Sequence, residues 1–163
     1  MMSTPTQTTT ASPATTATPE SGGGGSTVVV AGALSDSHTW GLVFLQLLLE
    51  EHGHRVVNLG PCVPEDLLIG TVRAERPALV VMSSVNGHGY RDGMRVITRL
   101  RECADLADVP VVIGGKLGIH GEQSADETVG LMGAGYTAVF DDTAEGVATF
   151  TRMLASVPQR AAV

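Results

Sequence analysis

Lysine occurs once in the 163-residue chain, at Lys116, and lysine and arginine together number 10 against 17 aspartates and glutamates, a net charge of −7. So acidic a chain offers no basic surface to a phosphate backbone, which argues against a nucleic-acid partner. Cysteine is scarce too: Cys62 and Cys103 stand far apart with no C-x-x-C pair, so a disulfide framework is excluded and a reduced, cytoplasmic chain is expected. No apolar run approaches the roughly 18 residues that cross a bilayer, because charges, glycines and prolines interrupt each one; no membrane span is expected. Nucleotide fingerprints are missing as well. No G-x-G-x-x-G follows the first apolar run and no G-x-x-x-x-G-K-[ST] occurs. Phosphotransfer of the response-regulator kind would want an aspartate ending the third strand, where Ser83 and Ser84 stand.

The first 26 residues also lack something: after Met2 they contain no apolar residue larger than alanine, only Thr, Ser, Pro, Ala and Gly with Gln7 and Glu20. Such a segment cannot offset the entropy of ordering, so residues 1–26 read as a disordered tail. It has neither the apolar core of a secretory signal nor the arginines of a transit peptide. Residues 27–157 read as one domain and 158–163 as a C-terminal tail. Apolar strand-like runs at Thr27 to Leu34, Arg55 to Leu59, Ala78 to Val85, Pro110 to Gly114 and Thr137 to Phe140 alternate with helical patterns. The helices are expected over Leu42 to His52, Glu65 to Glu75, Gly93 to Ala104, Ala125 to Met132 and Ala144 to Ala155, with Gly53, Pro64, Pro77, Gly133 and Gly135 as punctuation. This alternation predicts an α/β fold: a flavodoxin-like (Rossmann-like), doubly wound, five-stranded parallel sheet in order 2-1-3-4-5, with helices on both faces.

In such a sheet ligands bind beyond the carboxyl ends of the strands, where strand order reverses. The loops at that edge are SDSHTWG, SSVNGHGYRDG and GGKLGIHGEQ, rich in hydroxyls, imidazoles and glycines, whereas the opposite edge carries ordinary connections. That asymmetry marks a binding site. Glycines such as Gly114 and Gly115 at a strand end would let backbone approach a large flat or extended ligand. In the first loop, Asp36 and His38 are two apart. The carboxylate can accept from one imidazole nitrogen while the other faces outward as a metal ligand, an arrangement that fixes the ring. Alternatively Asp36 or Thr39 caps the following helix and His38 is a surface residue. A zinc site would need His88 and His120 to join His38. Glu65, Asp92 and Arg95 read as solvated helix charges, and His52 and His54 as neighbours of a helix C-terminus.

D-x-H-x-x-G after the first strand, S-x-V at Ser83-Ser84-Val85 and Gly114-Gly115 together resemble the cobalamin-binding domain family, most closely the small subunits of glutamate (methylaspartate) mutases. Stretches such as RVVNLG, VVMSSVNGHG and VVIGGKLGI add to the likeness. The resemblance implies adenosylcobalamin bound base-off and histidine-on, with His38 as the axial ligand to cobalt and Asp36 bonded to its other nitrogen. Ser35, Ser37, Thr39 and Gly41 would complete that loop. Ser83, Ser84 and Val85 would line one wall of a slot for the displaced nucleotide tail, and Gly114, Gly115, Lys116, Leu117, Gly118, Ile119 and His120 the other. It also implies a radical carbon-skeleton isomerase, glutamate to 3-methylaspartate, inactive without a larger barrel subunit, two small chains assembling with two large ones and the amino acid held between them. A corrinoid carrier of a methyltransferase system and a noncatalytic cobalamin-binding module are the alternatives.

Overall fold

Val28, Val29, Val30 and Ala31 are all fully buried, as a strand covered on both faces requires. They form the centre of β1 (Thr27–Gly32), which precedes α1 (Trp40–Glu51), β2 (Arg55–Asn58), α2 (Glu65–Glu75), β3 (Leu79–Ser84), α3 (Gly89–Glu102), a 3-10 turn (Ala104–Leu106), β4 (Val111–Gly115), α4 (Ala125–Ala134), β5 (Ala138–Phe140) and α5 (Ala144–Leu154). The computed structural model describes residues 25–117 and 124–158; residues 1–24 of the tail expected over 1–26, the site residues Gly118, Ile119 and His120, and residues 159–163 lie outside them.

All four strand pairings are parallel, in the order β2-β1-β3-β4-β5. Because side chains alternate along a strand, the sheet feeds two cores. Val29, Ala31, Val80, Met82, Val111 and Ile113 pack with α2, α3 and α4. Val28, Val30, Leu79, Val81 and Val112 pack with α1 and α5. Among the described residues no helix is long and apolar enough to cross a membrane.

Several element ends differ from expectation for local reasons. β1 stops at Gly32: the Ala33 amide makes the last ladder bond, to the Ser83 carbonyl, and the Ala33 carbonyl then accepts from the Asp36 amide in a turn. α3 begins four residues early, at Gly89, where any Cβ would lie 2.6 Å from Leu117 and 2.8 Å from Ser84. The glycine there permits close packing of the helix on the strand end. Gly133 does not end α4; it lies inside the helix, and Gly135, at φ 123°, is the C-cap.

His54 also needs correcting. It is 4% exposed, its Nδ1 lies 3.1 Å from the Ser26 hydroxyl, and its buried Nε2 has no hydrogen bond among the described residues. Ser26, placed by composition in the tail, is itself buried and its carbonyl accepts from Arg55. Burial, helped by the nearby His52 charge, pushes the His54 pKa below its ordinary 6.5. The unfolded chain therefore binds the proton more readily than the folded one, and stability is full above about pH 6.5 and falls as pH drops toward the native pKa. Thermal melting should show this acid loss, and His54→Leu should reduce it; equal slopes below pH 6.5 in both proteins would refute the assignment.

Candidate functional site

Strand order reverses between β1 and β3: the chain leaves β1 toward β2 on one side and reaches β4 from β3 on the other. The loops after these two strands meet at the carboxyl edge, and a carboxylate joins them. Asp36 is 3% exposed. Its Oδ2 accepts from the Val85 amide at 2.5 Å, and its Oδ1 from the His38 amide at 3.0 Å and from His38 Nδ1 at 2.7 Å. Burial alone would raise the Asp36 pKa, but the hydrogen bonds from Val85 and His38 outweigh it and hold the carboxyl below its ordinary value. An ionised carboxylate only accepts, so Nδ1 carries a proton, and in the neutral ring Nε2 is the nitrogen with the free lone pair. The His38 side chain is 63% exposed.

The capping alternative fails for Asp36, whose oxygens are spent on Val85 and His38. Thr39 holds the N-cap position of α1, but its side chain makes no capping bond. Ser37, His38 and Thr39 are exposed. Ser35 is exposed too, but its hydroxyl is bonded to Asp92 and Asn86. For zinc, among the described residues no three His, Cys, Asp or Glu side chains gather. His88 is exposed, and its amide donates to Asn86.

Beside this loop a cleft of about 190 Å³ opens between α1 and α5 over the ends of β3 and β4. Gly41, Phe44, Ser83, Val85, Gly114 and Gly115 line it, with Val81, Val112, Phe140 and Phe150 as apolar walls and Asp141 and Asp142 at the rim. Strand alternation decides which serine takes part. Ser83 follows Val81 on the α1/α5 face and lines the cleft. Ser84 lies on the other face, fully buried with its hydroxyl on Asn86, so it is not a wall of the slot. Leu117 is likewise no wall, being 1% exposed within the α2/α3/α4 core. Lys116 is exposed, its Nζ 3.8 Å from Asp142.

Three features escaped the sequence reading. Asp92 is not a solvated charge: it is 7% exposed and bonded to Ser35. Glu65 is partly covered and pairs with Arg95 and Arg99, so it too is more than a free surface charge. α1 presents Trp40, Val43, Phe44 and Leu47 outward, with Trp40 85% exposed. Their i, i+3, i+4, i+7 spacing, visible in the sequence, is that of a single helix face.

Residues 26–149 match the B12 binding domain family. The glutamate mutase sigma subunit of Escherichia coli O157:H7 is 30% identical over 106 residues, 65% of this chain and 70% of that one. Among solved structures, a cobalamin-binding protein from Desulfitobacterium hafniense DCB-2 superposes with TM-score 0.63 at 19% identity, over 79% of this chain and 58% of that one. A methanol:cobalamin methyltransferase complex from Methanosarcina barkeri gives 0.62 at 22% identity, over 90% of this chain and 52% of the other. This chain spans little more than half the length of those two chains, and likeness at such identity shows the fold alone.

The two glycines ending β4 make separable demands. Gly115 has φ 107°, and a Cβ there would lie 2.0 Å from the Ser84 carbonyl, whereas one on Gly114 would meet Phe140 at an ordinary 3.5 Å. Gly115→Ala should cost on the order of 2 kcal/mol or more, and Gly114→Ala no more than about 0.5 kcal/mol. Urea unfolding of both variants checks this, and equal midpoints would contradict it.

Proposed function

This chain belongs to the B12-binding domain family, and from that premise we propose that it is the cobalamin-binding subunit of an adenosylcobalamin-dependent carbon-skeleton mutase of the glutamate mutase type. The observation that carries the reading is the Asp36–His38 couple at the reversal point of the sheet, with Nδ1 engaged at 2.7 Å and Nε2 unbonded among the described residues. A lone, oriented imidazole suits a metal that arrives with its other ligands already in place, as cobalt does in a corrin, and does not suit zinc.

The cleft supports the same reading. At about 190 Å³ it is smaller than the roughly 300–1,000 Å³ that encloses a drug-sized ligand, so it fits one flat limb of a large cofactor. Its apolar walls favour an aromatic ring, and the Ser83 hydroxyl is placed to serve a ring nitrogen. In this reading His38 donates Nε2 to cobalt. Asp36 holds the imidazole in the donor tautomer, while Gly41, Ser83, Val85, Gly114 and Gly115 form the slot for the displaced nucleotide tail. Lys116 stands at the slot's mouth, and Ser35, Ser37 and Thr39 shape the loop. What adenosylcobalamin supplies when bound is the homolysis that starts radical rearrangement. No residue of this chain need touch the substrate, and activity would require a larger barrel subunit holding the amino acid, glutamate in the reading we favour. The outward face of α1 supports such an assembly, because apolar patches next to a site mark interaction surfaces.

The test is the visible spectrum of the purified chain with adenosylcobalamin, together with electron paramagnetic resonance of the photolysed cobalt(II) form. Nitrogen coupling from histidine should appear in the native protein and vanish in His38→Gly. Asp36→Asn should retain the coupling with affinity lowered about 10–100-fold, the usual loss for a partner of a metal-bound imidazole. A His38→Gly spectrum unchanged from the native one would reject the ligand assignment.

A further inference from the structure

Asp92 is a buried carboxylate that forms no ion pair among the described residues. Leaving a charge out of water is costly unless its hydrogen bonds are satisfied. Asp92 stands in the first turn of α3, where the helix dipole favours an anion. Its side chain reaches another loop: Oδ2 accepts from the Ser35 amide at 2.9 Å and the Ser35 hydroxyl at 2.6 Å.

Ser35 is held from a second side. Asn86 Nδ2 donates to the Ser35 carbonyl at 2.8 Å and contacts its hydroxyl at 3.1 Å. Asn86 is itself fixed, because its Oδ1 accepts from the His88 amide at 2.9 Å and the Ser84 hydroxyl at 3.2 Å. Every polar atom of this exposed serine is therefore tied to β3, its loop or α3. The next residue in the chain is Asp36. Behind Asp92 the helix has little freedom to shift: the Gly93 carbonyl accepts from the buried Tyr136 hydroxyl at 2.8 Å, and a Cβ on Gly93 would lie 2.6 Å from Ile113.

We propose that Asp92 is a positioning residue for His38, holding Ser35 so that Asp36 and the imidazole project from a fixed loop. The order of action is Asp92 to Ser35, Ser35 to Asp36 through the backbone, and Asp36 to His38 Nδ1. The inference rests on His38 being the cobalt ligand. A carboxylate serving only as a brace would affect melting and leave the coordination of bound cobalt alone; one serving His38 changes the fraction of bound cofactor that is histidine-ligated.

The experiment uses the full chain with cobalamin, below the melting temperature of each variant. Histidine-derived nitrogen coupling reports the ligated fraction, and titration reports affinity. Asp92→Ala should lower both, with affinity down about tenfold, at the mild end of losses seen when the support of a metal-bound imidazole is removed. Asp92→Asn keeps an acceptor oxygen and should restore most of the ligated fraction. In a His38→Gly background, Asp92→Ala should change affinity less than twofold, since residues acting through one another are not additive. If Asp92→Ala does not fold, Ser35→Ala and Asp92→Asn carry the comparison, each expected to lie between native and unligated. A native ligated fraction in Asp92→Ala, or in both milder variants, overturns the proposal, as does an equal affinity loss with and without His38. Absence of histidine coupling in the native protein would instead reject the assignment of His38, and this inference with it.

Discussion

The buried carboxylate of Asp36 binds together the two loops that leave the sheet in opposite directions. Asp36 accepts one hydrogen bond from the β3 side, at Val85, and two from its own loop, at the amide and ring of His38. Its lowered pKa follows from those bonds overcoming burial, so the group stays an acceptor in the neutral range and favours a neutral His38 ring with its proton on Nδ1. The strand order makes the site possible, because only at the β1/β3 reversal do two successive loops diverge and leave space at the strand ends.

The period of two along each strand does the rest of the sorting. It sends Ser83 and Gly114 to the α1/α5 side, where the cleft opens, and Ser84 to the opposite side, where it is buried; Leu117, beyond the end of β4, packs in the α2/α3/α4 core. Two adjacent serines at the end of β3 thus do unlike work. Ser83 gives an apolar cleft a hydroxyl, while Ser84 anchors Asn86, and through it Ser35. The division also explains why adjacent glycines at the end of β4 are not interchangeable. Gly115 passes against the Ser84 backbone at a positive φ, and Gly114 floors the cleft.

Much of this was legible in the sequence. Continuous valine runs alternating with helical patterns fix a parallel sheet, and the Asp36–His38 spacing points to a carboxylate-supported imidazole. What was missed has physical causes. The phase of β3 decides between Ser83 and Ser84, and a strand buried on both faces carries no polar alternation from which to read it. Asp92 reads as a surface charge only if α3 starts at Gly93. Started at Gly89, the helix places Asp92, Val96 and Leu100 at intervals of four on one inward face, and all three are buried. His54 follows a helix-ending glycine and so reads as loop, but the return into β2 carries it beneath Ser26. Composition alone could not show that closure.

α1 is apolar on both sides, with four large apolar side chains exposed on one of them. Leu42 and Leu49 are buried against the sheet, while Trp40, Val43, Phe44 and Leu47 remain exposed. A helix apolar all round is ordinarily surrounded. Here one side covers β1 and β2, Phe44 rims the cleft, and Trp40 follows His38 by two residues. In the proposed mutase, the cofactor limb and the larger subunit would bury the remainder, so one helix would couple loading of the slot to docking of the partner. In that reading the exposed face would be a condition of the chain's work as a subunit: apolar area left bare by folding is available to association, at the end of the helix nearest His38.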